Sequence, residues 1–78
     1  MIELDILSPE GMQHLEAEAV FLPGEMGEFE VLENHAPIIS VLSGGSIKWR
    51  NGGEISCLEI GGGTAMVEDN KIKVCVKD

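Results

Sequence analysis

The pair Asn51-Gly52, set between two runs of alternating apolar and polar residues (46–50 and 54–60), constrains this chain most. Asn and Gly both accept the left-handed backbone that a tight two-strand turn requires, so the segment is predicted to be a β-hairpin. The same grammar recurs. Ile2, Leu4 and Ile6 alternate with Glu3 and Asp5, then Ser8-Pro9-Glu10-Gly11 turns the chain. Pro23-Gly24 marks another turn, Gly27 closes a short loop, and residues 28–31 alternate again. Asn34 to Pro37 is a turn, because Pro37 pushes Ala36 away from the helical region. Residues 38–42 form a β-branched run that Gly44-Gly45 interrupts. Residues 64–67 and 71–76 flank Glu68-Asp69-Asn70 as a further hairpin, with Ile72, Val74 and Val76 on one face and Lys71, Lys73, Cys75 and Lys77 on the other.

Only residues 12–23 resist this pattern. Met12, Leu15, Ala19 and Leu22 have helical spacing, while Leu15, Ala17, Ala19 and Phe21 have strand spacing. Taken alone, the stretch fits either. Short strands punctuated every 7–12 residues otherwise predict an all-β sandwich or barrel. With 78 residues and 44% apolar content, the expectation is one domain, residues 1–78, with a small core that gains from a partner. No apolar run is long enough to span a bilayer, so no direct membrane insertion is expected. Residues 1–10 lack the basic and apolar regions of a secretion signal, which points to an intracellular protein.

Charge narrows the partners. Every charged residue within 1–45 is acidic (Glu3, Asp5, Glu10, Glu16, Glu18, Glu25, Glu28, Glu30, Glu33), whereas all Lys and Arg lie beyond. A net charge of −9 repels phosphate backbones, so nucleic acid is not an expected partner. A basic protein surface is, although such charge also serves solubility alone.

Chemistry is sparse. His14 and His35 are the two histidines, and Cys57 and Cys75 the two cysteines. They lack zinc-ligand spacing, and in a reducing compartment the thiols are expected to be free, partly buried strand residues. No nucleophile elbow or triad pattern occurs, so no catalytic residue, metal or cofactor is expected. Gly61-Gly62-Gly63 has no following Lys to reach a phosphate and reads as a backbone device. Lipoyl and biotinyl carrier domains are also small acidic β-domains, with a modified lysine at a hairpin tip. Here Lys71 follows Asn70 and begins a strand. A free-standing binding or carrier module is therefore the alternative function.

The ordered set Gly27-Glu28-Phe29-Glu30-Val31, Asn34-His35-Ala36-Pro37 and Leu42-Ser43-Gly44-Gly45 resembles the N-terminal domain of the epsilon subunit of F-type ATP synthases. Leu4 to Glu10, Ile60 to Gly63 and Met66 to Val74 extend the resemblance over essentially the whole chain. Two positions depart from the family pattern. Glu30 replaces a Gly, implying that no positive φ is needed there. Asn34 replaces the Gly before His, which a turn tolerates because Asn accepts left-handed backbone. The family's C-terminal helical hairpin, the source of inhibition and nucleotide sensing, is not among these residues, so neither property is carried over.

The resemblance implies a flattened β-sandwich of two five-stranded sheets, with residues 13–22 in strands. It implies a non-catalytic central-stalk rotor subunit that links the gamma subunit to the c-ring and reaches the catalytic alpha/beta hexamer only indirectly. The expected place is the cytoplasmic face of a bacterial inner membrane, peripherally bound. By the motif match, Glu25, Met26, Gly27 and Glu28 are expected at the c-ring, and His35, Ala36, Pro37 and Ser40 at gamma.

Overall fold

In the computed structural model, which describes residues 1–77, burial alternates along residues 2–6, 63–68 and 71–75, while residues 11–14 and 54–57 are exposed throughout. Among the described residues nine strands are formed: β1 (Ile2–Ser8), β2 (Gly11–Ala17), β3 (Ala19–Gly24), β4 (Gly27–Leu32), β5 (Ile38–Leu42), β6 (Gly45–Asn51), β7 (Glu54–Ile60), β8 (Gly63–Glu68) and β9 (Lys71–Val76). Four hairpins join β1 to β2, β3 to β4, β6 to β7 and β8 to β9. β1 also lies parallel to β9.

The hydrogen-bonded order is β2-β1-β9-β8-β5-β3-β6-β7, with β4 on the free side of β3. A single bridge, Gly24 to Leu42, joins β3 to β5. The strands thus divide into a five-stranded group (β2-β1-β9-β8-β5) and a four-stranded group (β4-β3-β6-β7). One buried cluster draws Ile2, Leu4, Ile6, Ile72 and Val74 from the first group and Val20, Leu22, Val31 and Ile47 from the second. Their inner faces therefore oppose each other, as in a sandwich. The expected all-β class holds. The two groups are unequal and continuous through one bridge, where two five-stranded sheets were expected.

The residues that fit both helix and strand spacing are strands, and the ambiguity has a physical origin. Leu15 and Ala17 face inward from β2, but Val20 and Leu22 face inward from β3. The inward parity switches at Glu18, where the chain passes from one group to the other. The β6–β7 hairpin seals this bend: Glu18 N–H donates to the Arg50 carbonyl (2.8 Å), Gly52 N–H to the Glu18 carboxylate (3.1 Å), and Asn51 Nδ2 to the Glu16 carbonyl (3.0 Å).

Two further expectations need correction. The turn after β3 is Glu25-Met26, with Pro23 and Gly24 still in the strand. Cys57 and Cys75 are exposed rather than partly buried. Cys75 occupies an outward position of the alternating strand β9, and Cys57 lies in the first half of β7, which is exposed on both faces.

Candidate functional site

Two projecting segments carry the residues singled out by sequence, and β5 connects them. At its Leu42 end stands the β3–β4 hairpin. Gly24 pairs with Gly27, and Glu25-Met26 form a two-residue tip. Gly27 takes φ +123°, a backbone that side-chain-bearing residues avoid. At Gly24 the constraint is space: a Cβ would lie 2.9 Å from both the Gly27 carbonyl oxygen and the Phe29 ring. Phe29 thus lies against the backbone of the hairpin, and a bare Gly lets it in. Glu25 N–H donates to the Val41 carbonyl (3.2 Å), and Ser43 N–H to the Pro23 carbonyl (2.8 Å). Ser43 Oγ adds bonds to the Pro23 and Gly24 carbonyls, both 3.3 Å. The tip is therefore anchored at its base while Met26 is fully exposed. Glu28 pairs with Lys48 at 3.4 Å, both side chains about half exposed. Among the described residues Glu25 has no such partner, so its charge is the more available of the two.

At the Ile38 end of β5 lies the turn of residues 33–37. Asn34 adopts φ +64°, as its replacement of Gly requires. His35, half-buried, donates from Nδ1 to the Ala36 carbonyl (2.7 Å), which leaves Nε2 free for another partner. A shallow groove lined by Asn34, His35, Ala36, Pro37, Asp69 and Asn70 joins this turn to the β8–β9 turn. Pro37 also lines an adjoining apolar groove with Ile39 and Met66. Ser40 belongs to the opposite side of β5. It is half-buried and its hydroxyl bonds the Val41 carbonyl (3.4 Å), whereas Ile39 and Val41 point outward, 76% and 53% exposed. Alternation within one strand thus separates Ser40 from the exposed surface of its neighbours.

Ile39, Met66, Asp69 and Asn70 were not among the site residues expected from sequence. The exposed apolar pair follows from register, since Ile39 faces Met66 across β5 and β8. Asn70 lies 36 residues from Asn34, beyond any local pattern. Two ends of the molecule therefore present exposed side chains: a narrow tip with one acidic and one flexible apolar side chain, and a broader turn with an apolar flank. Five residues of β5 separate them by about 13–17 Å.

Two further pairs involve titratable groups, one away from both ends and one at Glu33, within the 33–37 turn. His14 and Asp5 face each other across β1 and β2 and share a hydrogen bond, which raises the imidazole pKa above its ordinary value. Glu33 likewise holds the Met1 ammonium and raises its pKa. Among the described residues no group of three His, Cys, Asp or Glu side chains is placed to hold a metal. Lys71 sits in β9, in register with Glu68 and Glu3, while Asp69-Asn70 occupy the tip. The Gly61-Gly62-Gly63 run serves close packing: a Cβ at Gly63 would lie 2.2 Å from the Cys75 carbonyl oxygen.

Comparison with known proteins places these surfaces in context. Residues 1–78 match the family described as ATP synthase, Delta/Epsilon chain, beta-sandwich domain. The chain is 42% identical over 72 residues to the ATP synthase epsilon chain of Desulfitobacterium hafniense, covering 91% of this chain and 54% of that one. It is 38% identical over 74 residues to that of Nitratidesulfovibrio vulgaris, covering 94% and 55%. It therefore spans little more than half the length of these curated relatives. Among solved structures, a chain of the Euglena gracilis mitochondrial ATP synthase superposes with TM-score 0.90 at 22% identity, covering 99% of this chain and 51% of that chain. A chain in the central stalk and c-ring structure of the Tetrahymena thermophila mitochondrial enzyme gives 0.82 at 18%, covering 99% and 63%. At such identities these two establish the fold alone.

Proposed function

Because the chain belongs to the family of the ATP synthase delta/epsilon β-sandwich domain, we propose that it is a non-catalytic subunit of the central stalk, linking the gamma subunit to the c-ring so that ion-driven ring rotation is coupled to ATP synthesis. The family match over the whole sequence carries this assignment. On this reading the protein sits peripherally on the cytoplasmic face of a bacterial inner membrane and touches the alpha/beta hexamer only through gamma.

The two ends of β5 suit the two contacts. The tip of Glu25, Met26, Gly27 and Glu28 faces the polar loops of the ring, where Glu25 meets a basic side chain and Met26 adapts to its neighbours. The turn of His35, Ala36 and Pro37 faces gamma, with Ile39 and Met66 extending the apolar part of the contact. Ser40, half-buried on the other side of β5, contributes less. A rotor link must transmit torque without yielding, and a sandwich whose hairpin base is tied to β5 is stiff between its two contacts.

Crosslinking in the assembled ATP synthase tests this assignment. Cys57 and Cys75 are first replaced by Ser, and a cysteine is then introduced by Met26→Cys or Ala36→Cys. The first is expected to crosslink to the c-ring and the second to gamma. Exchange of the two partners, or no crosslink from either position in an intact complex, refutes the placement.

A further inference from the structure

We propose that Asn70, in the β8–β9 turn, is the positioning residue of the 33–37 turn, so that the surface offered to gamma is built from two turns. This rests on the function proposed above for its partner, but not for its geometry. Asn34 N–H donates to Asn70 Oδ1 at 2.6 Å, and Asn70 Nδ2 reaches back to Asn34 Oδ1 at 3.4 Å. Both residues hold left-handed backbone, φ +64° and +59°, and so does Asp69 at +51°. Asn accepts this backbone more readily than other side-chain-bearing residues, and a side-chain bond holds it in place. Here the Asn34–Asn70 pair supplies that bond.

Asn70 is itself fixed from a third direction. Its carbonyl accepts the Glu3 N–H at 2.9 Å, where β1 begins beside β9. The side chain thus relays the rigidity of the β1–β9–β8 sheet to a connection that otherwise crosses between the strand groups with few bonds of its own. Five residues, Glu33 to Pro37, make that crossing. Glu33 is held by the Met1 ammonium and, among the described residues, His35 bonds only its neighbour's carbonyl, so the bond to Asn70 is the one that sets the backbone immediately before His35. Asp69 and Asn70 also line the same groove as His35 and Pro37, so a protein docking on the His35 turn meets both turns at once. A turn already held in its docking shape spares the partner the entropy of ordering it.

Two variants of the full chain separate positioning from folding. Asn70→Gly keeps the left-handed backbone and removes the side chain. Asn70→Asp keeps the Oδ1 acceptor for Asn34 N–H. Amide exchange of Asn34, followed by NMR on the chain alone, is expected to accelerate in Asn70→Gly and to stay near the parent rate in Asn70→Asp. Affinity for purified gamma subunit is expected to fall about tenfold in Asn70→Gly, the scale of one lost, pre-formed hydrogen bond, and to be largely restored in Asn70→Asp. Unchanged Asn34 exchange in Asn70→Gly overturns the positioning role. Faster exchange with gamma affinity within twofold of the parent overturns the two-turn surface. A parent chain that does not bind gamma refutes the proposed function instead, and the exchange rates, measured without any partner, still decide the role of Asn70.

Discussion

Replacing Gly63 by Ala should damage this domain more than replacing any turn glycine whose side-chain direction is open. Gly63 sits between two neighbours, paired with Leu42 of β5 on one side and Val76 of β9 on the other. An added Cβ would lie 2.2 Å from the Cys75 carbonyl oxygen and 3.2 Å from the Cys75 carbonyl carbon and the Val76 Cα. All three atoms are backbone, so no rotamer change relieves them. Restoring an ordinary contact requires the strands to part by about 1 Å, which takes an N–H···O bond out of its effective range. The Lys77 N–H to Gly62 carbonyl bond (2.8 Å) lies at the same place and would be lost with it. Overpacking of about 1–3 kcal/mol and one or two backbone bonds at about 1 kcal/mol each give a loss of roughly 2–5 kcal/mol. A domain of this size has about 4–12 kcal/mol in total. Gly52 provides the control: its φ is +62° and a Cβ there meets nothing within 4 Å, so Gly52→Ala carries only the left-handed penalty of about 1 kcal/mol. Urea unfolding followed by the fluorescence of Trp49, the only tryptophan, compares the two. Gly63→Ala should also loosen the β3–β4 tip, because Gly63, Leu42 and Gly24 stand in one cross-strand line. A midpoint for Gly63→Ala equal to or above that of Gly52→Ala would refute the close-packing argument.

Three further outcomes are expected. Glu25→Gln should reduce the salt dependence of ring binding more than Glu28→Gln, since Lys48 already balances Glu28; each effect is worth at most about 1 kcal/mol, and equal slopes for both would contradict the assignment. His14 should titrate above the ordinary imidazole value of 6.5, first because of its hydrogen bond to Asp5 and then through the charges of Asp5, Glu3 and Glu16. Its contribution to stability is then complete below about pH 6.5 and disappears as pH rises through the folded midpoint. NMR titration should show Asp5→Asn lowering that midpoint, and an unchanged value would sink the pairing. Cys57 and Cys75 should both react with a thiol reagent in the folded chain, because both are exposed; reaction of either only after denaturant would show it to be shielded.

Much of this was legible one strand at a time. Alternation along residues 2–6, the Asn51-Gly52 turn and the two faces of β9 each follow from periods and turn chemistry that involve only near neighbours. So does the tolerance of Asn34 for the left-handed backbone. The exposure of Cys75 was implied by its place on the lysine face, and the expectation of a partly buried thiol gave way to that alternation.

What escaped depends on residues far apart in the chain. The sequence by itself determined a mostly β domain, the β6–β7 and β8–β9 hairpins and an acidic surface, because burial period and backbone preference are local properties. Tertiary structure alone decided that inward parity switches at Glu18, that Gly63 must admit the Cys75 carbonyl and that Ser40 turns away from the surface of Ile39 and Val41. It also decided that Asn70 holds the turn before His35. Each depends on which strand lies beside which, and that is fixed only when opposing faces close over one core.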